Sequence, residues 1–174
     1  PDWEGCHTHW ARQIAAEYAA TCNAEVILTD HYGVDLPHPS FETAYELNQD
    51  LLANPERSRV LFRGIMDALA PKWQCDGPLF VVGFCSGGSF ALETGRAASN
   101  VDAAVCVHGN PQTPLPLRSE SSQLAAEDQL ERPIFMVVHG GDDPLITGNQ
   151  LSEFEREMRN ARARWVLHVI SGAK

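Results

Sequence analysis

Apolar positions along the chain follow two rhythms. Short apolar runs, often β-branched, occupy residues 24–29, 79–83, 103–107, 134–138 and 165–170. Runs of this length bounded by turn-forming residues predict strands of a sheet covered on both faces. Pro133 stands at the entry of the fourth run, where its missing N–H does least harm. Between the runs lie longer stretches with apolar residues three and four apart, which predict helices over residues 9–21, 57–69, 86–98 and 148–163. In the second of these Val60, Leu61, Ile65 and Leu69 share one side. In the last, Leu151, Phe154 and Met158 share a face opposite many charges. The alternation of strand and helix is that of an α/β fold, a mostly parallel sheet with helices on both faces. Residues 33–40 and 109–117 contain prolines and read as loops. Loops that follow strand ends are where such folds keep their sites.

The length, 174 residues, suits one domain spanning the whole chain. Thirteen Lys and Arg against 23 Asp and Glu give a net charge of −10, which argues against binding to nucleic acid or to an anionic membrane. No apolar run approaches the roughly 20 residues that span a bilayer. The opening Pro1-Asp2-Trp3-Glu4 has neither the basic start nor the apolar stretch of a signal peptide. The five cysteines are odd in number and scattered, with no Cys-x-x-Cys pair. Free thiols in a reducing, cytoplasmic compartment are the simplest account. Cys6, Cys22, Cys75 and Cys106 read as small buried apolar residues. His7 and His9 form His-x-His, but no third ligand accompanies them at metal spacing, so no metal is expected.

Cys85 is different. It sits in Gly83-Phe84-Cys85-Ser86-Gly87-Gly88, which has the G-x-S-x-G form with cysteine in place of serine. An apolar run enters this turn and a helical stretch leaves it. In such an elbow the nucleophile occupies a strained turn and points away from both elements. The residues two before and two after it nearly touch, so both must be small. Gly88 then lets the new helix lie close to the sheet. The helix N-terminus is expected to lower the thiol pKa and to offer N–H groups to an anion. The plainer alternative is a structural cysteine in a glycine-rich turn.

A nucleophile of this kind needs a base, and the base needs an acid to orient it. In an α/β-hydrolase the chain order is nucleophile, acid, histidine. The acid candidate lies in His139-Gly140-Gly141-Asp142-Asp143-Pro144, directly after the fourth run, and Asp143 fits the Gly-x-x-Asp-Pro pattern better than Asp142. Turn chemistry alone would also account for an Asp-Asp-Pro sequence. Downstream of Asp143 the chain has one histidine, His168, inside the last predicted strand. His108 and His139 precede the acid and read as structural or pocket-lining residues. No base is visible.

These motifs resemble the dienelactone hydrolase family, a cysteine-using branch of the α/β-hydrolases. Gly83-Phe84-Cys85-Ser86-Gly87-Gly88 is similar to that family's elbow, and His139-Gly140-Gly141-Asp142-Asp143-Pro144 to its acid loop. Pro1-Asp2-Trp3-Glu4-Gly5 resembles the loop after the family's third strand, and Leu28-Thr29-Asp30-His31-Tyr32-Gly33 a strand end that usually reads Asp-Leu-Tyr-Gly. Ser171-Gly172-Ala173-Lys174 resembles the segment just before the catalytic histidine. The resemblance implies Cys85 as nucleophile, Asp143 as triad acid, and an oxyanion hole from the N–H groups of Ser86 and Trp3. It places Asp2 where the family has a thiol-activating glutamate, one methylene longer, with Glu4 as the fallback in another register. It implies a small ester or lactone as substrate and no metal or organic cofactor. It also implies that the family's third strand, absent here, would sit between residues 24–29 and 79–83. The chain is therefore expected to be part of a longer hydrolase domain, with the histidine beyond Lys174. A natural gene starting at Pro1 and stopping at Lys174 would sink that expectation.

Two other readings stay open at this point. A class I glutamine amidotransferase domain also uses a G-x-C-x-G elbow, but it needs a His-x-Glu pair after the last strands, and none is present. A hydrolase fold without a working triad would serve as a binding module.

Overall fold

The computed structural model describes residues 2, 4–33, 39–72, 76–98, 100–113 and 133–174. Its elements run α1 (His9–Cys22), α2 (Phe41–Ala53), α3 (Pro55–Leu69), β1 (Phe80–Phe84), α4 (Ser86–Ala97), β2 (Ala103–Val107), β3 (Ile134–Gly140), α5 (Gly148–Asn160) and β4 (Arg164–Ile170). The four strands form one parallel sheet in the order β1-β2-β3-β4. Each joins its neighbour through a crossover, and parallel pairing requires such a connection. The register sets Phe84 opposite Val107 and Val107 opposite Val138, so β1 and β2 finish level while β3 runs two residues further, to Gly140.

Local chemistry fixes the helix ends. Thr8 accepts the N–H of Ala11 at the start of α1, and Asn23 closes that helix in the left-handed conformation. Pro55 begins α3, where no N–H is missed. Thr147 and Gln150 form a reciprocal capping box on α5. Packing then selects the apolar stripes. Leu92 of α4 and Phe154 and Met158 of α5 meet Ala104, Cys106, Phe135 and Val137 of the sheet in one buried cluster. α4 lies on β1 and β2 and carries α3 against it, with Phe62 of α3 and Leu51 of α2 packed on Phe90.

The five expected strands become four. Residues 24–29 join no ladder. They form one wall of an apolar groove of about 230 Å³, whose other wall is β1 with residues 78 and 79 and whose sides are Trp10, Ile14, Met66 and Leu69. Residues 24–26 are exposed and 27–29 half-buried; an apolar run becomes a strand only with a partner for its backbone N–H and C=O groups. Here the groove stands where a partner would lie, and β1 pairs on one side, with β2. α2 was not expected from the sequence. It buries only Ala44, Asn48 and Leu51, while Phe41 and Tyr45 are exposed. Among the described residues no helix is long and apolar enough to cross a membrane.

Candidate functional site

β1 delivers the chain into the elbow. Cys85 has φ 53° and ψ −128°, a conformation that costs a non-glycine residue roughly 1–3 kcal/mol. Neighbouring backbone holds it there. Its N–H donates to the Val107 carbonyl at 3.0 Å, and its own carbonyl accepts the Gly88 N–H at 2.9 Å. The sequence requirement for small flanking residues has a direct cause. A Cβ on Gly83 would stand 1.9 Å from the Gly87 carbonyl oxygen, and one on Gly88 2.8 Å from Cys106 Sγ. Gly109, just after β2, belongs to the same construction, since a Cβ there would lie 2.3 Å from the Cys85 carbonyl oxygen. No sequence pattern signals that role. Gly109 begins a proline-bearing loop, and only the pairing of β1 with β2 brings it under the elbow.

The electrostatics of the thiol depart from expectation. Burial pushes the Cys85 thiol up, the Ser86 N–H on the sulfur pulls it down, and Asp2 and Asp143 push it up again. The net direction is upward, so the helix N-terminus does not win. One N–H at the sulfur is outweighed by partial burial and two carboxylates. Glu4, the alternative to Asp2, is exposed and is not among the groups acting on the sulfur.

A raised thiol pKa carries a sign. Alkylation needs the thiolate, so at pH 7 Cys85 is expected to react slowly with iodoacetamide, its rate rising about tenfold per pH unit until the pKa is reached. Asp2→Asn removes one of the charges that disfavour the thiolate. It is expected to speed Cys85 alkylation at neutral pH, read by peptide mass spectrometry. An unchanged or slower rate would show that the Asp2 charge does not act on the sulfur.

The acid loop closes against the elbow from β3. Asp143 is half-buried, donates its N–H to the Gly140 carbonyl at 3.1 Å, and accepts the Leu145 N–H on Oδ1 at 2.8 Å. Asp142 is exposed and is not among the charges acting on Cys85. The closing segment packs on this loop: Gly141 N–H donates to the Ile170 carbonyl at 2.8 Å, and Asp142 N–H to the Ala173 carbonyl at 2.9 Å. The preference for Asp143 over Asp142 thus has a geometric basis.

Among the described residues no histidine is one of the groups acting on the Cys85 sulfur. His139 is 3% exposed, and His168 is an exposed residue of β4. His108 is exposed at the end of β2 with φ 46°. His31 is buried beside Tyr32 and Phe90, and burial lowers its pKa to about 4, too low for an effective base at neutral pH. Trp3, expected to supply an oxyanion N–H, lies outside the described residues, as does Cys75. Cys6 and Cys106 are buried as expected, but Cys22 is exposed at the end of α1.

A positive-φ residue between a parallel strand and a buried helix, with a carboxylate delivered from the end of a later strand, defines an α/β-hydrolase. Residues 2–174 match the dienelactone hydrolase family. The chain belongs to that family, and by it to the carboxylic ester hydrolases. Two solved structures support the fold over nearly the whole chain. The protein called m3DLH is 26% identical, with a TM-score of 0.79, covering 99% of this chain and 68% of its own. A dienelactone hydrolase-like promiscuous phosphotriesterase, P91, from metagenomic libraries is 23% identical, with a TM-score of 0.80 and the same coverage. Esterase PE8 is 19% identical, with a TM-score of 0.53, covering 72% of this chain and 56% of its own. No curated protein matches.

Proposed function

We propose that the protein hydrolyses small esters or lactones through a Cys-His-Asp triad with Cys85 as nucleophile. The observation that carries this reading is the Cys85 turn itself. A cysteine held at positive φ over a helix N-terminus receives the Ser86 N–H on its sulfur, and two carboxylates act on it.

In this mechanism the thiol keeps its proton at rest and gives it up as substrate binds, with the Asp2 carboxylate as acceptor. The sulfur then attacks the acyl carbon. The N–H groups of Ser86 and Trp3 hold the developing oxyanion, often the largest catalytic contribution. A protonated histidine, oriented by Asp143, gives its proton to the departing alkoxide and leaves a thioester on Cys85. The same imidazole, now neutral, takes a proton from water, hydroxide adds to the thioester, the acid leaves, and the expelled Cys85 thiolate recovers its proton from Asp2. With a lactone, alcohol and acid leave as one molecule. The packing of the closing segment on the acid loop supports a base arriving from that side. The groove between residues 24–29 and β1 supports a larger hydrolase domain in which one further strand fills it.

The test is acyl trapping. Full-length protein is mixed with p-nitrophenyl acetate, quenched in acid and mapped by mass spectrometry. Acetyl on the Cys85 peptide is the expected result. Glutaminase activity, or ester turnover without any acyl group on Cys85, would overturn the reading. Binding of ester without turnover or acylation would favour a binding module instead.

A further inference from the structure

Three metal-capable donors converge outside the hydrolytic elbow. The Cys6 sulfur, a His7 imidazole nitrogen and an Asp30 carboxylate oxygen all lie within 4.8 Å of one another. In the sequence His7 and His9 form a His-x-His pair with no third ligand at metal spacing, and His9 is exposed at the start of α1. Asp30 is remote in sequence, and only the fold brings it to the turn that holds Cys6 and His7. We propose that Cys6, His7 and Asp30 bind one divalent cation of the zinc class.

The geometry suits that ion. His7 Nε2 stands 3.5 Å from Asp30 Oδ2. That is longer than the roughly 2.7–2.9 Å of a charge-assisted hydrogen bond. It is close to the edge of a tetrahedron whose metal–nitrogen and metal–oxygen bonds are about 2.1 Å, which is about 3.4 Å. The same bond lengths put sulfur edges near 3.6 Å, so Cys6 Sγ reaches ligand position with a shift of about 1 Å.

Asp30 is already oriented. Its Oδ1 accepts the N–H groups of Tyr32 at 2.9 Å and Gly33 at 3.1 Å, which leaves Oδ2 turned toward His7. The two turns are braced together as well. The Tyr32 ring lies over Gly5, and Asn48 of α2 donates to the Tyr32 hydroxyl. Fixing a ligand through its other polar atoms is how outer groups sharpen metal sites.

The donor set selects the ion. Thiolate with imidazole and one carboxylate suits zinc, whereas calcium and magnesium take oxygen. Three protein ligands leave a fourth position for water. The cation would pin the turn that carries Asp2 to the turn of residues 30–33. This site stands independently of the hydrolytic reading.

Cobalt provides the test. Chelator-treated full-length protein is titrated with Co²⁺ and then displaced with Zn²⁺. One equivalent should produce a thiolate-to-cobalt charge-transfer band in the near ultraviolet. The band should vanish in Cys6→Ser and survive in Cys85→Ala. His7→Gln and Asp30→Asn should each weaken Zn²⁺ binding by about tenfold or more. Their metal-free thermal unfolding and circular dichroism confirm that they fold, so they carry the test if Cys6→Ser does not. Absence of saturable binding, a band that persists in Cys6→Ser, or one lost in Cys85→Ala would overturn the proposal. So would unchanged Zn²⁺ affinity in folded His7→Gln and Asp30→Asn.

Discussion

Cys85→Ala in the full-length protein is expected to lower kcat/KM for ester or lactone hydrolysis by about 10³-fold or more, since nucleophiles of catalytic triads carry effects of this size and larger. A 10³-fold loss corresponds to about 4 kcal/mol of transition-state stabilisation. Alanine removes the sulfur and keeps a side chain that fits the left-handed turn as well as cysteine does. The strain at φ 53° is therefore already accepted by the fold, and the variant should unfold at nearly the wild-type temperature. That separates lost chemistry from lost structure. Cys85→Ser sharpens the test. A hydroxyl ionises far less readily than a thiol, so the serine variant depends more heavily on the base. Its rate should lie between alanine and wild type. Hydrolysis by Cys85→Ala at the wild-type rate, measured with the same ester, would rule out the thioester route.

The second large effect concerns stability. The Arg96 side chain, in the last turn of α4, is 1% exposed. Its guanidinium donates through Nε and NH2 to Glu157 at 2.9 and 2.7 Å, through NH1 to Glu93 at 2.9 Å, and again through NH2 to the Pro111 carbonyl at 2.9 Å. Glu93 also accepts from Arg59 of α3 at 2.7 Å. One planar fork thus ties α4 to α5 and to the loop after β2. Removing a single partner of a buried ion pair strands the other charges. Arg96→Ala should therefore cost about 3–5 kcal/mol. For a domain of this size that is a fall in Tm of roughly 6–20 °C. Arg96→Lys should not rescue it fully, because an ammonium cannot make the two-pronged contact with Glu157. A paired Arg96→Met and Glu157→Met replacement should cost less than Arg96→Met alone, since it removes the stranded carboxylate with its partner. A loss below 1 kcal/mol for Arg96→Ala, by denaturant unfolding, would show that water reaches the network.

The elbow and the network differ in how far the sequence announces them. The elbow is a local object. Its strand, its glycines and its nucleophile fall within the nine consecutive residues 80–88, and their steric requirement can be read directly: Gly83 and Gly87 are small because their backbones touch. The Arg96 network joins residues 59, 93, 96, 111 and 157, and charged residues on helices ordinarily read as solvated. The acid lies between these cases. The turn after the fourth apolar run is recognisable in the sequence, but that the Asp143 charge and not that of Asp142 acts on Cys85 follows only from the folded loop.

By itself the sequence determined the alternation of strand and helix, four of the five expected strands, the elbow turn and the family. All of these rest on patterns a few residues long, where periodicity and backbone sterics act locally. The tertiary structure decided what depends on neighbours distant in sequence. Residues 24–29 are mostly apolar yet stand exposed or half-buried and join no ladder, because apolarity does not supply a pairing partner. Gly109 supports the elbow because β1 and β2 are adjacent. The Cys85 thiol is pushed up, not down, because burial and carboxylates from two remote segments outweigh the nearby helix terminus. Cys6 and His7 meet Asp30 only once the two turns fold together. Local pattern fixes which elements form, and the fields and contacts that tune a site arise only after packing brings those elements into one place.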